Sequence, residues 1–405
     1  MSYEEFAATY LMEPTFHDNY HFEQITLEES EKLGSSEMPN DLDWRWSHCT
    51  PIKSQSSCGS CWTFGAMAGI EGALSSQKGL LLQLSEQELL SCTYNNTLSS
   101  NPAFNDGYID TPLYWDNWYN GCSGGNVGHV YQMLAIYQVP IASMKQYPYQ
   151  NADQLCQKTG FSTMAKMSSQ EQSGSYWGED VLKQLLQNGP VSASVYVDYN
   201  FQNYQSGVFK SKNCYVSGKT NHAIAIVGYI SNYQGEAVWI LRNSWGTGWG
   251  ASGYMYIAKD VSSYDGQSYP YGMCNVGIQL RQPQKNFTNT VSALGSIQNF
   301  TCSKTDNSWA CTWDQISGVT SYDVYHSSDG HPWTAVNTSV TCTTSICSYN
   351  QTEDPSNVIV AVRGRKSLTS YYLWGETTPW KWYNIVSDAT SLMFGLSLLL
   401  LAFFL

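Results

Sequence analysis

An α+β fold is predicted for the first two thirds of this chain, followed by a β-sandwich and an apolar tail. Three observations predict it. Apolar residues recur at helical spacing before about residue 190 and at strand spacing after it. Beyond about residue 284, Ser, Thr and Asn rise and short strand-like runs recur between turn residues. Residues 391–405 are almost wholly apolar.

The elements follow in order. Ser60 to Gln77 reads as a helix, with Phe64, Met67, Ala68, Ile70 and Leu74 at helical spacing. Ser85-Glu86-Gln87-Glu88 has the pattern of a capping box and opens a short second helix. Val181 to Asn188 is a third helix, stopped by Gly189-Pro190. The period then changes: Val191, Ala193, Val195 and Val197 alternate as a strand. Ala223 to Val227 is a continuous apolar strand, and Val238–Leu241 and Tyr254–Ile257 are further strands. In 284–383, Cys311-Thr312-Trp313, Ser321 to Tyr325, Val358 to Val362 and Tyr371 to Gly375 read as strands of a sandwich. Within the tail, 384–405, the apolar run Ser391 to Leu405 is shorter than the roughly 20 apolar residues that span a bilayer. It has the appearance of a GPI-attachment signal, with Asn384 and Ser387 as attachment candidates; a minimal membrane anchor or a buried element are the other readings.

Composition sets the class. A chain of 405 residues holds two or more domains. Charged residues are 13%, aromatics 14% and the net charge is −13. With no basic run, nucleic acid is excluded as a partner. The 12 cysteines point to an oxidising compartment. Sequons at Asn95, Asn286, Asn299, Asn337 and Asn350 agree with glycosylation there. The expected location is lysosomal or endosomal, secreted, or at the cell surface. Met1-Ser2-Tyr3-Glu4-Glu5 has neither a basic nor an apolar leader region, so a secretory start is expected upstream of the given residues.

The chemistry centres on Cys58-Gly59-Ser60-Cys61-Trp62. Taken alone, Cys58-x-x-Cys61 fits a redox pair or half a zinc site as well as a nucleophile. No second Cys-x-x-Cys completes a zinc site, and no βαβ pattern flanks it. Far downstream stand Asn221-His222-Ala223 and Arg242-Asn243-Ser244-Trp245-Gly246. In this order and with these local signatures, the chain resembles the papain/cathepsin L family of cysteine endopeptidases from about Met38 to Leu280.

The resemblance implies a two-lobed papain-like fold, a helical lobe and a β-barrel-like lobe with a cleft between them. It implies that Cys61 is the nucleophile, His222 the base, Asn243 the residue that orients the imidazole, and Gln55 the side-chain donor to the oxyanion. Trp245 would roof the His–Asn contact. A thiol attacks as thiolate, and two devices favour that form: the N-terminal dipole of the helix that Cys61 opens and His222 as imidazolium. Peptide bonds would be hydrolysed through a thioester, with no cofactor and no metal, by a monomer acting on polypeptide substrates.

Further implications follow. Cys58 pairs with Cys122, Cys92 with Cys156 and Cys214 with Cys274; Cys302–Cys311 and Cys342–Cys347 staple the sandwich. Cys61 is left free, and so is Cys49, a departure that admits a free thiol or an intermolecular bridge. Gly124 and Gly125 form a cleft wall open to a substrate backbone. Asn126, Val127, Ser194, Thr220, Ala223 and Gln279 line the pocket for the residue second upstream of the scissile bond. With Asn126 replacing an aromatic and Gln279 at the floor, that pocket is expected to be roomier and more polar than in cathepsin L. Residues 1–37 are the remnant of a pro-segment, 38–283 the peptidase domain, 284–383 a fibronectin type III-like sandwich. Between Cys92 and Cys122 lie 29 residues rich in aromatics, read as a surface loop or a rim that restricts substrates. The alternative function is a surface adhesion or receptor-like protein that binds through its sandwich and keeps the protease fold as a scaffold.

Overall fold

A computed structural model describes residues 1–12, 15–16, 38–92, 121–136, 139–157, 160–167, 176–215, 219–283, 287–305, 308–327, 334–336, 340–343, 345–351, 357–368, 372–377 and 381–384. The aromatic stretch between Cys92 and Cys122, the sequons at Asn95, Asn286 and Asn337, and the tail beyond Asn384 lie outside these residues.

The described residues form two units. The first is Met1–Gly295 with Arg365–Glu376; the second is Ser296–Gly364 with Thr377–Leu405. The first unit has two lobes. Its helical lobe is built on helix α2 (Cys61–Lys78). The sequence suggests one apolar face for this helix, but it is buried nearly all round, from Cys61 to Ser75. Small residues make that possible. A Cβ on Gly72 would lie 2.6 Å from the Pro190 ring, so only glycine lets α2 approach the other lobe there. The short helix Glu86–Cys92 packs beside α2, as does Val127–Ile136. Ser85 caps the first of these, its Oγ accepting from the N–H of Glu88 at 3.0 Å. The box is only half made: the Glu88 carboxylate accepts instead from the N–H of Ala142 at 2.6 Å, which ties helix to loop.

The second lobe is a twisted sheet. Its order is Ile278–Arg281, Val191–Val195, His222–Tyr233, Glu236–Arg242, Tyr254–Ala258, Val208–Phe209, with Leu42–Asp43 pairing beside His222–Tyr233. The long strand is apolar on both faces because one face meets a cluster around Trp239 and Leu241, and the other a cluster around Val227 and Ile240. A strand covered on both sides loses the alternation that a half-exposed strand shows.

The first unit extends past residue 283, the boundary that the sequence suggests. Phe287–Asn289 pairs antiparallel with Ala165–Met167, and Phe287 and Val291 are buried in the helical-lobe core. Later the chain returns: Leu373 pairs with Leu82 and Trp374 with Leu81, both nearly inaccessible to solvent. Apolar residues in a Ser/Thr-rich stretch gave no sequence sign of which core they would enter.

In the second unit, Thr301–Thr305, Ser308–Asp314, Ile346–Gln351 and Thr341–Cys342 form an antiparallel sheet in that order. Ser321–Ser327 pairs with Thr334–Val336. Phe300, Trp313, Tyr322 and Tyr349 fill the core. Asn299 is exposed at its margin, and Asn350 falls within a strand.

Disulfides join Cys58 to Cys122, Cys92 to Cys156, Cys214 to Cys274, Cys302 to Cys311 and Cys342 to Cys347, the pairs that the resemblance implies. Cys49 and Cys61 are outside them, and both are buried. Burial of Cys49 places its sulfur out of reach of another chain in this fold.

Candidate active site

Cys61 is the first residue of α2. Ser60 precedes it as N-cap, but its Oγ bonds the Tyr149 hydroxyl at 2.6 Å and not the helix. The N–H groups of Cys61 and Trp62 favour the thiolate, and the N–H of Ala223 reaches Sγ at 3.4 Å from the opposite lobe. The Cys58–Cys122 disulfide takes the neighbouring thiol and leaves Cys61 outside it.

The two lobes are laced together beside the sulfur. Ser54 bridges Trp245, the N–H of Gln55 donates to Ser244 O at 2.8 Å, and that of Gly246 to Lys53 O at 3.1 Å. This lacing carries Gln55 from the helical lobe to the Asn243-Ser244-Trp245 turn of the other. The Gln55 amide is then fixed at both ends. Its Oε1 accepts from Ser244 Oγ at 2.6 Å, and Nε2 donates to Cys58 O at 2.8 Å. Ser244 is the functional residue that motif reading passes over, because its neighbours carry the signature.

His222 begins the long strand, in register with Val195. Its Nε2 lies 2.8 Å from Asn243 Oδ1, which also accepts from the N–H of Ser244 at 2.8 Å. Because Oδ1 is an acceptor in both contacts, Nε2 carries the proton and Nδ1 of the neutral ring keeps its lone pair. Nδ1 makes no hydrogen bond. The Trp245 ring lies over the imidazole, with centroids 4.7 Å apart. Gln55, Cys61, His222, Asn243 and Trp245 are thus brought to one place.

The N-terminal residues fill that place. Helix α1 (Tyr3–Tyr10) is opened by a full capping box, Ser2 with Glu5. Its Phe6 meets Trp245 edge-on at 5.0 Å and stacks on Tyr10 at 4.9 Å. The carbonyl of Tyr10 accepts from Gln55 Nε2 at 2.9 Å. The N–H of Met12 donates to Asn221 O at 2.9 Å, and its side chain lies over Gly124. Thr15–Phe16 then adds a strand to Lys219–Thr220. The sequence signal was present in Phe6 and Tyr10, which share a helix face at i, i+4 within a polar stretch.

This covering sets the protonation states. Cys61 and His222 both have 0% exposure. Burial pushes the Cys61 thiol up to about 12, against the N–H groups of Ala223, Trp62 and Cys61 itself, which favour the thiolate. Burial lowers His222 to about 4, against its bond to Asn243. In the covered cleft both groups are neutral. Both directions favour the neutral pair in the buried site over the ion pair expected from the sequence.

The expected pocket residues divide. Gly125 lies against the Trp62 indole, where a Cβ would clash at 2.5 Å. Val127 and Ala223 share an apolar cluster with Met12 and Trp62. Ser194 Oγ donates to Gln279 Oε1 at 3.2 Å. Thr220 lies in the strand that pairs with Thr15–Phe16. Asn126 Oδ1 accepts from the N–H of Gly128 at 2.8 Å and so caps Val127–Ile136.

Comparison with known proteins agrees with this geometry. Residues 38–284 match the family described as Papain family cysteine protease. The chain is 32% identical to ananain of Ananas comosus over 249 residues, 61% of this chain and 62% of ananain. It is 31% identical to zingipain-2 of Zingiber officinale over 255 residues, 62% of this chain and all of that protein. It is 31% identical to papain of Carica papaya over 288 residues, 71% of this chain and 72% of papain. The chain spans less than two thirds of the length of ananain, at 62%, and of the senescence-specific protease SAG12 of Arabidopsis thaliana, at 64%. Among solved structures, a recombinant stem bromelain precursor is similar with a TM-score of 0.51 and 27% identity, over 72% of this chain and 81% of that one. Digestive procathepsin L 3 of the Tenebrio molitor larval midgut is similar with a TM-score of 0.50 and 25% identity, over 70% and 79%.

Proposed function

Because this chain belongs to the papain family of cysteine proteases, we propose that it is a cysteine endopeptidase whose cleft is closed by its own N-terminal residues. One observation carries the reading. Gln55, its amide locked by Ser244, already donates to a peptide carbonyl, that of Tyr10, beside the unbridged sulfur of Cys61. A site that receives this carbonyl has the donor that a substrate carbonyl needs when it becomes an oxyanion.

Catalysis begins when the N-terminal residues leave. Water then re-enters, the burial penalty on both groups falls, and the Cys61 proton passes to Nδ1 of His222. The thiolate attacks the scissile carbonyl, and the oxyanion takes hydrogen bonds from Gln55 Nε2 and the Cys61 N–H. His222, held by Asn243, protonates the leaving amine. It then draws a proton from water, which hydrolyses the thioester and frees Cys61. The two similar solved structures are a precursor and a procathepsin, which supports reading residues 1–16 as an inhibitory segment. Pro39, Asn40 and Asp41 are exposed and suit cleavage.

Residues 296–364 are read as a fibronectin type III-like module, supported by antiparallel pairing around Trp313 and Tyr322. Five disulfides support an oxidising compartment, within or beyond the secretory pathway.

The test is labelling by an epoxide thiol reagent before and after cleavage at residues 38–41, with casein hydrolysis in parallel. Label on Cys61 and hydrolysis after cleavage, both absent in Cys61→Ala, are expected. Cleaved wild-type protein that neither labels nor hydrolyses casein contradicts the reading.

A further inference from the structure

We infer that Tyr149 is a positioning residue for the Cys61 thiolate: its hydroxyl holds Ser60 away from the first turn of α2 and so keeps the Trp62 N–H for the sulfur. This inference rests on the endopeptidase reading.

The direction of each bond is fixed. Tyr149 Oη lies 2.8 Å from the carbonyl of Gln55 and 2.6 Å from Ser60 Oγ. A carbonyl can only accept, so the one phenolic proton goes to Gln55 O and Ser60 Oγ donates to Tyr149 Oη. Burial pushes the phenol up to about 12, so that proton stays in place at neutral and acid pH. The ring is seated independently of these bonds. It meets Phe64 of α2 edge-on at 5.0 Å. The chain on either side of it is tied to the start of the next helix: Ser85 Oγ donates to the carbonyl of Tyr147 at 2.6 Å, and the N–H of Gln150 donates to Gln87 Oε1 at 2.8 Å.

Ser60 is where the phenol matters. An N-cap serine ordinarily accepts from the N–H of the second or third helical residue, here Trp62 or Thr63. Ser60 accepts from neither through its side chain. The Thr63 N–H already donates to the Ser60 carbonyl at 2.9 Å. The Trp62 N–H serves the sulfur: against the burial that raises the thiol, it favours the thiolate together with the N–H groups of Ala223 and Cys61. A Ser60 hydroxyl released from Tyr149 would compete with the sulfur for that N–H. The same phenol holds the carbonyl of Gln55, so one side chain ties the residue that serves the oxyanion to the start of the helix that carries the nucleophile.

The test is the pH profile of Cys61 alkylation by iodoacetamide, from about pH 3 to pH 7, in the full chain cleaved at residues 38–41. Tyr149→Phe keeps the ring on Phe64 and removes both hydrogen bonds. Its acid limb is expected to move up by about one pH unit, the worth of one hydrogen bond to a charged group. Ser60→Ala alone, and Ser60→Ala combined with Tyr149→Phe, are expected to keep the wild-type limb, because neither has a Ser60 hydroxyl to place on Trp62. A merely structural role for Tyr149 would lower the reactive fraction and leave the limb where it is. An unmoved limb in Tyr149→Phe, or a shift that persists when Ser60 is also replaced, overturns the inference and leaves the endopeptidase reading standing. Cleaved wild-type chain whose Cys61 does not react overturns both.

Discussion

Gln55 Nε2 and the carbonyl of Tyr10 are 2.9 Å apart, so the donor that would receive a substrate oxyanion is occupied by the chain's own backbone. The same segment places Phe6 against Trp245 and Met12 against Gly124. On the proposed reading, inhibition and catalysis use one set of contacts, and loosening the segment is expected to expose the thiol.

Phe6→Ala tests that link. The ring is buried against Trp245 and Tyr10. Its removal costs the closed form about 3 kcal/mol, which corresponds to roughly a 150-fold faster reaction of Cys61 with iodoacetamide in the uncleaved chain. An unchanged rate would show that α1 does not hold the cleft shut.

Ser244→Ala tests the positioning of the amide. The variant removes the 2.6 Å bond to Gln55 Oε1 and leaves every other contact of Gln55 in place. After cleavage, kcat is expected to fall about tenfold with KM little changed, because the oxyanion forms only in the transition state. A matching rise in KM at constant kcat would assign Ser244 to ground-state binding instead.

Asn243→Ala removes the acceptor that sets the His222 tautomer. Loss of this buried bond costs about 1–3 kcal/mol. Turnover should fall tenfold or more, while epoxide labelling of Cys61 slows less. Equal loss in both would mean that Asn243 supports the fold and not the ring's orientation.

His48 supplies a pH test outside the cleft. It lies on Trp44, its Nδ1 bonds Ser75 Oγ at 2.9 Å, and burial lowers it to about 4. Unfolded, it titrates near 6.5. The unfolded chain thus binds the proton first as the pH falls. His48 contributes fully above about pH 6.5 and loses that contribution as pH drops toward 4. Between pH 7 and 4.5, chains carrying Cys61→Ala should lose about 2 kcal/mol more than the same chains with His48→Gln, read from urea midpoints. Parallel losses would contradict a neutral buried His48.

Much of this was legible in the residues. Cys61, His222 and Asn243 sit in local signatures whose chain order fixes their roles, and the strands carrying His222 and Asn243 announce themselves by apolar runs. What was not legible depends on partners distant in sequence. Ser244 matters only because Gln55 arrives beside it through the Ser54–Trp245 bridge. The capping of the following helix by Asn126 Oδ1 has no sign in the local pattern either. Glu88 fits a capping box by spacing, yet the N–H of Ala142 outcompetes that of Ser85 for its carboxylate. Leu373 and Trp374 read as sandwich residues and belong to the peptidase unit. In each case tertiary packing chose among partners that local pattern left equivalent.

The central claim is that burial by residues 1–12 and 15–16 keeps the Cys61–His222 pair neutral and that their release lets it ionise. The most direct measurement is the pH profile of Cys61 alkylation before and after cleavage at residues 38–41. The uncleaved chain should react negligibly from pH 5 to 8, as befits a thiol pushed up to about 12. The cleaved chain should react at pH 5 with a rate that changes little up to pH 8. A cleaved chain whose rate rises only above about pH 8, as an ordinary thiol's does, would contradict the account.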